Sequence, residues 1–295
     1  MIRLERCTHL VMKKSRKHIL LLSPLFSYFT FFFFIPMFVL FVYSFWLKTS
    51  TGLVPTFTLQ NYLYIFSKKL YPITILRSLR IGITTALICV VISYPVAYSL
   101  TFKYKKLQDV VLYLILVSLF SSYLVRVYAW RTILGSSGLI NQILKYLGLI
   151  EEPLRFILFS PTAIIITLVF ILTPFTILPI FSSMQNISID LIEAARDLGA
   201  NKFKTFYKVT LPLSMPGVIT GFIFSLTIST GDYVTPQLVG GTEGLMVGRI
   251  MQDQFGLTYN WPFGSALAYF MIFVLILLIN LFIGITTILK LRRKF

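Results

Sequence analysis

Between residues 188 and 212 the chain reads SIDLIEAARDLGANKFKTFYKVTLP, a charged interlude between long apolar runs. Ser188 can cap a short helix. Leu191, Ala195 and Leu198 then recur at i, i+4 and i+7 as an apolar stripe, while Asp190, Glu193 and Asp197 form an acidic stripe at i, i+3 and i+7. Gly199 suits the left-handed residue that ends a helix, and Asn201 can cap the next one. Two short amphipathic helices joined at a glycine are suited to lie in a groove of another protein. The competing reading is a helix pair resting on lipid, which an acidic stripe disfavours against an anionic inner leaflet.

A second group of candidates surrounds Asp232. This residue closes a long uncharged run, and an ionisable group at the end of a membrane span is a functional candidate. Tyr233, Tyr259 and Trp261 follow it, and Tyr128 is a further aromatic candidate. A carboxylate beside aromatic faces is what a polycation needs in place of its water. Glu243 and Asp253 add negative charge on the same side, whereas Arg126, Arg131 and Arg249 oppose a cation unless they are paired. Asp232 also has a structural alternative, capping a helix end or pairing with Arg126, with the aromatics as an interfacial belt.

Catalytic chemistry finds little to work with. Cys7 and Cys89 are far apart, and His9 and His18 both lie in the basic N-terminal tail, so neither a disulfide framework nor a metal site is expected. Glu151 and Glu152 are adjacent and point to different faces. The chain has no Gly-Lys dipeptide and therefore no P-loop. The expectation is a chain without catalytic residues, metal or cofactor of its own.

Bilayer is the solvent that positions these groups. Of 295 residues, 57% are hydrophobic and 13% charged, about half the charge of a soluble domain. A crossing helix needs about 20 apolar residues. The charge-free windows Ile19 to Leu47, Ile81 to Phe102, Val110 to Val125, Phe156 to Ile189, Val209 to Gly231 and Gln254 to Leu289 predict six. The short third window is expected to borrow Leu107 and Gln108, with Arg126 snorkelling at its far end. Prolines 24, 36, 95, 174 and 179 fall within spans, where they are tolerated or kink a helix lining a path. The run Phe31 to Phe34 is expected to face lipid. Placing the N-terminus in the cytoplasm puts most of the 27 basic residues inside, and both termini with them. The net charge of +17 thus reflects topology and not nucleic-acid binding. The first window is too long for a cleaved leader and reads as a retained anchor.

Glu193-Ala194-Ala195, three residues, Gly199, nine residues and then Val209-Thr210-Leu211-Pro212 resembles the EAA loop of ABC-importer permeases, with Val209 where isoleucine is usual. Ser93 to Tyr98, Leu124 to Tyr128, Gly231 to Pro236 and Trp261 to Gly264 look like the spermidine/putrescine permeases of that family. The resemblance implies an all-α membrane protein of six helices with the type I ABC-importer permease fold, in a bacterial inner membrane. It implies a basic tail at 1–18, a first helix at 19–47, a permease core at 76–289 with its coupling loop at 188–212, and a basic tail at 290–295. Glu193 would contact an ATPase dimer, Ala194 and Ala195 would permit close approach, and Gly199 would allow the bend. Asp197, Leu211 and Pro212 complete that coupling set. Implied partners are a second, related permease, the ATPase carrying ATP and Mg, and an extracytoplasmic binding protein, with lipid around them. Related subgroups carry iron or organic anions, so the solute stays open. A secondary transporter is the rival class, but the two halves show no inverted repeat.

Overall fold

The computed structural model describes residues 23–50, 52–154 and 157–292. The expected tail at 1–18, with Cys7, His9 and His18, lies outside the described residues, as do 293–295. Ser23–Tyr43 forms α1, and a two-stranded hairpin follows, with β1 (Leu47–Thr49) antiparallel to β2 (Gly52–Val54). Next come α2 (Gln60–Ser67) and the long α3 (Leu70–Lys103), then α4 (Lys105–Phe120), α5 (Tyr123–Leu134) and α6 (Leu139–Tyr146). α7 (Pro161–Gln185), α8 (Ile189–Asp197), α9 (Lys202–Gly231), α10 (Val247–Gly256) and α11 (Trp261–Arg292) complete the chain. Among the described residues, α1, α3, α7, α9 and α11 are each long and apolar enough to cross a membrane, and α4 with the bent segment after it makes the sixth crossing when the pair is counted as one span.

The spans depart from the charge-free windows at two places. α3 begins at Leu70, so Arg77 and Arg80 lie inside its outer turns. Arg77 is tolerated because Nη1 donates to the Leu245 carbonyl at 3.4 Å, while Ser78 Oγ accepts Val247 N–H at 2.8 Å and caps α10 from outside. The third window does not run on to Val125. Ser121 and Ser122 adopt extended backbone, and the chain turns by 95°. Serine is a weak helix former that readily adopts non-helical backbone, and here Ser122 precedes α5 without a side-chain cap bond. Arg126 therefore rides on α5 across the outer side and does not snorkel from a span end.

In lipid, helices gain nothing from hiding apolar surface and associate through small residues and hydroxyls. α3, α7 and α9 follow this rule. A Cβ on Gly82 would meet Thr230 Oγ1 at 2.4 Å, and one on Gly217 would meet the Pro179 carbonyl at 2.4 Å. Thr176 and Ser225 hydroxyls lie 2.6 Å apart, and those of Tyr94 and Ser214 lie 2.9 Å apart. Ile164, Leu168 and Ile171 of α7 fill the space beside the seam. In contrast, α1 and α4 bury none of their described residues, and Phe31 to Phe34 are exposed as expected of a lipid face.

Proline shapes two of these helices. Pro36 and Pro212 each follow a widened π-type turn, Thr30–Phe34 and Phe206–Thr210. A proline leaves the carbonyl four residues earlier without its donor, and Phe32 and Lys208 fall inside those turns. The wider turn absorbs the mismatch.

Gly217→Ala is expected to cost about 1–3 kcal/mol by forcing α9 away from the α7 backbone, read as a lowered thermal midpoint in detergent. Gly231→Ala, which meets open space, is the matched control and should leave the midpoint unmoved.

Candidate functional site

The 188–212 segment folds as its capping residues dictate. Ser188 Oγ accepts Asp190 N–H at 3.2 Å, and Asn201 Oδ1 accepts Lys204 N–H at 2.8 Å. Gly199 has φ +81°, while its N–H donates to the Arg196 carbonyl at 2.8 Å and Ala200 N–H donates to the Ala195 carbonyl at 3.0 Å. That pair of bonds is the Schellman ending that a left-handed glycine permits.

α8 is held by one side chain. Ile192 is buried, whereas Asp190, Glu193, Ala194 and Asp197 are exposed and Ala195 is half-buried. The stripe foreseen for this helix points away from the protein: Leu191 is 51% and Leu198 89% exposed. The result is an apolar ridge between carboxylates, outside the body of the fold. Leu211 and Pro212 lie half-buried where α9 leaves the loop. Ile192 escaped the sequence reading because a stripe alone does not say which face is inward.

At the other end of α9, Asp232 is only 8% exposed. Its Oδ1 accepts Val234 N–H at 3.0 Å, and its Oδ2 accepts Thr235 N–H at 3.2 Å and the Tyr123 hydroxyl at 2.7 Å. Tyr123 also lies 2.9 Å from Thr235 Oγ1. The carboxylate thus caps the turn after α9 and ties α5 to it. Arg126 forms no ion pair with it. Among the described residues the ion pair is Arg249 with Asp253 at 3.0 Å, which engages a second carboxylate from the expected outer set.

Tyr128 and Tyr233 are about half exposed, on α5 and beside Asp232 respectively. Trp261 opens α11 and packs edge-on against Phe255, 5.9 Å away, and Tyr259 is exposed with φ +49°. The aromatics therefore remain available at the outer end, but the carboxylate they were grouped with is turned inward. Tyr123 was missed, although Tyr123, Val127, Trp130 and Leu134 mark the inner face of α5 at i, i+4, i+7 and i+11.

The membrane helices thus gather around a small-residue seam, and a charged helix stands free between α7 and α9. Residues 14–294 match the family described as binding-protein-dependent transport system inner membrane component. The chain belongs to that family, and it is an inner-membrane permease component. It is 36% identical over 236 residues to the spermidine/putrescine transport system permease protein PotB of Escherichia coli (strain K12), covering 80% of this chain and 85% of that one. The PotB of Haemophilus influenzae (strain ATCC 51907 / DSM 11121 / KW20 / Rd) is 35% identical over 256 residues, 86% of this chain and 89% of its own. The fold is similar to that of a bacterial ABC transporter that imports the acidic polysaccharide alginate, with TM-score 0.72 at 16% identity, over 92% of this chain and 96% of that one.

Tyr123→Phe and Asp232→Asn should each lower stability by about 1.5–3 kcal/mol, the worth of a hydrogen bond to a charged group. The double variant should lose less than the sum, because both changes delete one contact. Thermal unfolding with uptake kinetics checks this. An unchanged midpoint with a raised half-saturating solute level would instead put the carboxylate on the solute.

Proposed function

We propose that this chain forms half of the membrane pathway of a polyamine importer, together with a second, related permease. A separate ATPase dimer drives it and an extracytoplasmic binding protein supplies it with spermidine or putrescine. The observation that carries the coupling role is α8, whose ridge of Leu191 and Leu198 faces outward beside Glu193 and Asp197. Apolar side chains ringed by charge suit a protein groove better than water or an anionic leaflet. The polyamine assignment draws on the likeness to the PotB permeases over most of both chains.

The geometry gives this reading a mechanism. A push on α8 reaches α9 through Gly199 and the Asn201 cap. The widened turn Phe206–Thr210 lies on this path, and it is where a helix yields most readily. Beyond Pro212, α9 is wedged against α7 and α3, so the three helices tilt together and alternate access between the two sides. ATP and its Mg are consumed on the partner, and this chain binds, positions and moves without making or breaking bonds.

Co-expression with its sister permease, ATPase and binding protein tests the proposal, with labelled spermidine as solute. Glu193→Lys and Leu198→Asp should each abolish uptake and the ATPase response to loaded binding protein while membrane insertion is kept. Full uptake by a stably inserted double variant would overturn the coupling role. Vesicles bearing this polypeptide alone that accumulate solute would overturn ATP dependence.

A further inference from the structure

The outer side carries an apolar surface that coupling and transport do not use. α2 turns Asn61 and Ile65 inward. Asn61 Nδ2 donates to the carbonyls of Ser44 and Trp46 at 2.9 and 2.7 Å, and Tyr62 donates to Ser44 Oγ at 2.9 Å. That face is sewn to the end of α1. The opposite face presents Leu59, Leu63 and Phe66 at i, i+4 and i+7, with Leu63 67% and Phe66 63% exposed.

Two ring contacts with α11 fix its depth. Tyr64 meets Phe263 with centroids 5.3 Å apart, and Phe66 meets Phe270 at 5.4 Å. Phe270 precedes Lys290, the next charged residue on α11, by 20 residues. At about 1.5 Å per residue that is about 30 Å, the thickness of the hydrocarbon core. Phe66 therefore stands at the outer hydrocarbon edge and α2 at the level of the headgroups. Tyr43, Tyr64 and Trp261 lie at the same ends of the helix set, as aromatic belts do.

The exposed stripe is continuous with the faces of the spans. It reaches Ile272 and Phe273 beside Phe270 on α11, both exposed. Lys68 and Lys69 sit exposed at the junction, with Lys68 Nζ 5.2 Å from the Tyr64 ring centroid. An apolar face flanked by lysines at headgroup depth is complementary to lipid. A water-soluble partner approaches from above and does not reach the depth of Phe270.

We propose that α2 is a membrane-surface helix, bedding Leu59, Leu63 and Phe66 in the outer leaflet and placing Lys68 and Lys69 on headgroup phosphates. This rests on the membrane placement of the chain and is independent of the solute. The test uses the assembled importer in phosphatidylcholine/phosphatidylglycerol nanodiscs on a Cys7→Ser background. Nitroxides are attached through Leu63→Cys and Phe66→Cys, with Gln60→Cys as the water-facing control. Collision with oxygen should exceed collision with a water-soluble nickel chelate several-fold at the first two positions and reverse at the third, with or without binding protein. Nickel access at Leu63 and Phe66 equal to that at Gln60 would overturn the proposal. Protection appearing only with binding protein would make this a docking platform, and shielding from both reagents would assign it to the second permease. Lys68→Glu with Lys69→Glu should raise nickel access at Leu63 several-fold; no change would remove the lysines from the headgroup role.

Discussion

Close approach at the seam of α3, α7 and α9 is the constraint on which the rest of this molecule depends. Apolar surface is worth nothing between helices already surrounded by hydrocarbon, so cohesion comes from backbone proximity and from hydroxyls that find each other. Each such hydroxyl contact is worth only about 0.6 kcal/mol in membranes. What the contacts supply is register: Gly82 faces Ser229 and Thr230, Gly221 faces Thr176, and Gly217 rests on the α7 backbone at Pro179. With these positions fixed, α3 and α7 run parallel and α9 runs against both.

The seam decides what α9 can transmit. A helix wedged on two sides carries a force along its length without bending away from its neighbours, as close-packed interiors are only weakly compressible. Its inner end leads to α8 through a glycine-ended turn, and its outer end is Asp232. Asp232 in turn holds α5 through Tyr123. Since α5 is bounded by the break at Ser121-Ser122 and by the turn at Gly135 to Gly138, it can follow that end as a separate piece. Under the proposed coupling, the loop, the seam and the outer clamp would lie one after another on a single path.

Much of this was legible before any coordinates. The long uncharged windows located the spans because charge in hydrocarbon is costly, and Ser188, Gly199 and Asn201 marked the loop because caps act through local geometry. What escaped had its cause in tertiary contact. Arg77 and Arg80 hid the first turns of α3, since one arginine is met by the Leu245 carbonyl and the other sits near the span's outer edge. The 95° turn after α4 was invisible because two serines read as ordinary polar residues until their backbone leaves the helix. α2 and the hairpin lie in the stretch from 48 to 80 that a search for crossings treats as loop. Asp232 was found as an unusual residue, but its inward rotation depends on Tyr123, more than 100 positions away in the chain.

The clamp also bears on how a polycation could be recognised under the polyamine reading. Asp232 accepts from Tyr123 and two backbone amides and is buried, and Asp253 is matched by Arg249. With three of about four acceptor sites filled, Asp232 has little capacity left to replace a cation's water. Under that reading the outer end of this chain would offer a cation the exposed rings of Tyr128, Tyr233 and Trp261 beside the exposed carboxylate of Glu243. Aromatic faces attract ammonium groups by about 0.5–2 kcal/mol each, without the long-range pull of a carboxylate. A surface of that kind would pass a cation more readily than trap it, which suits a pathway better than a binding site.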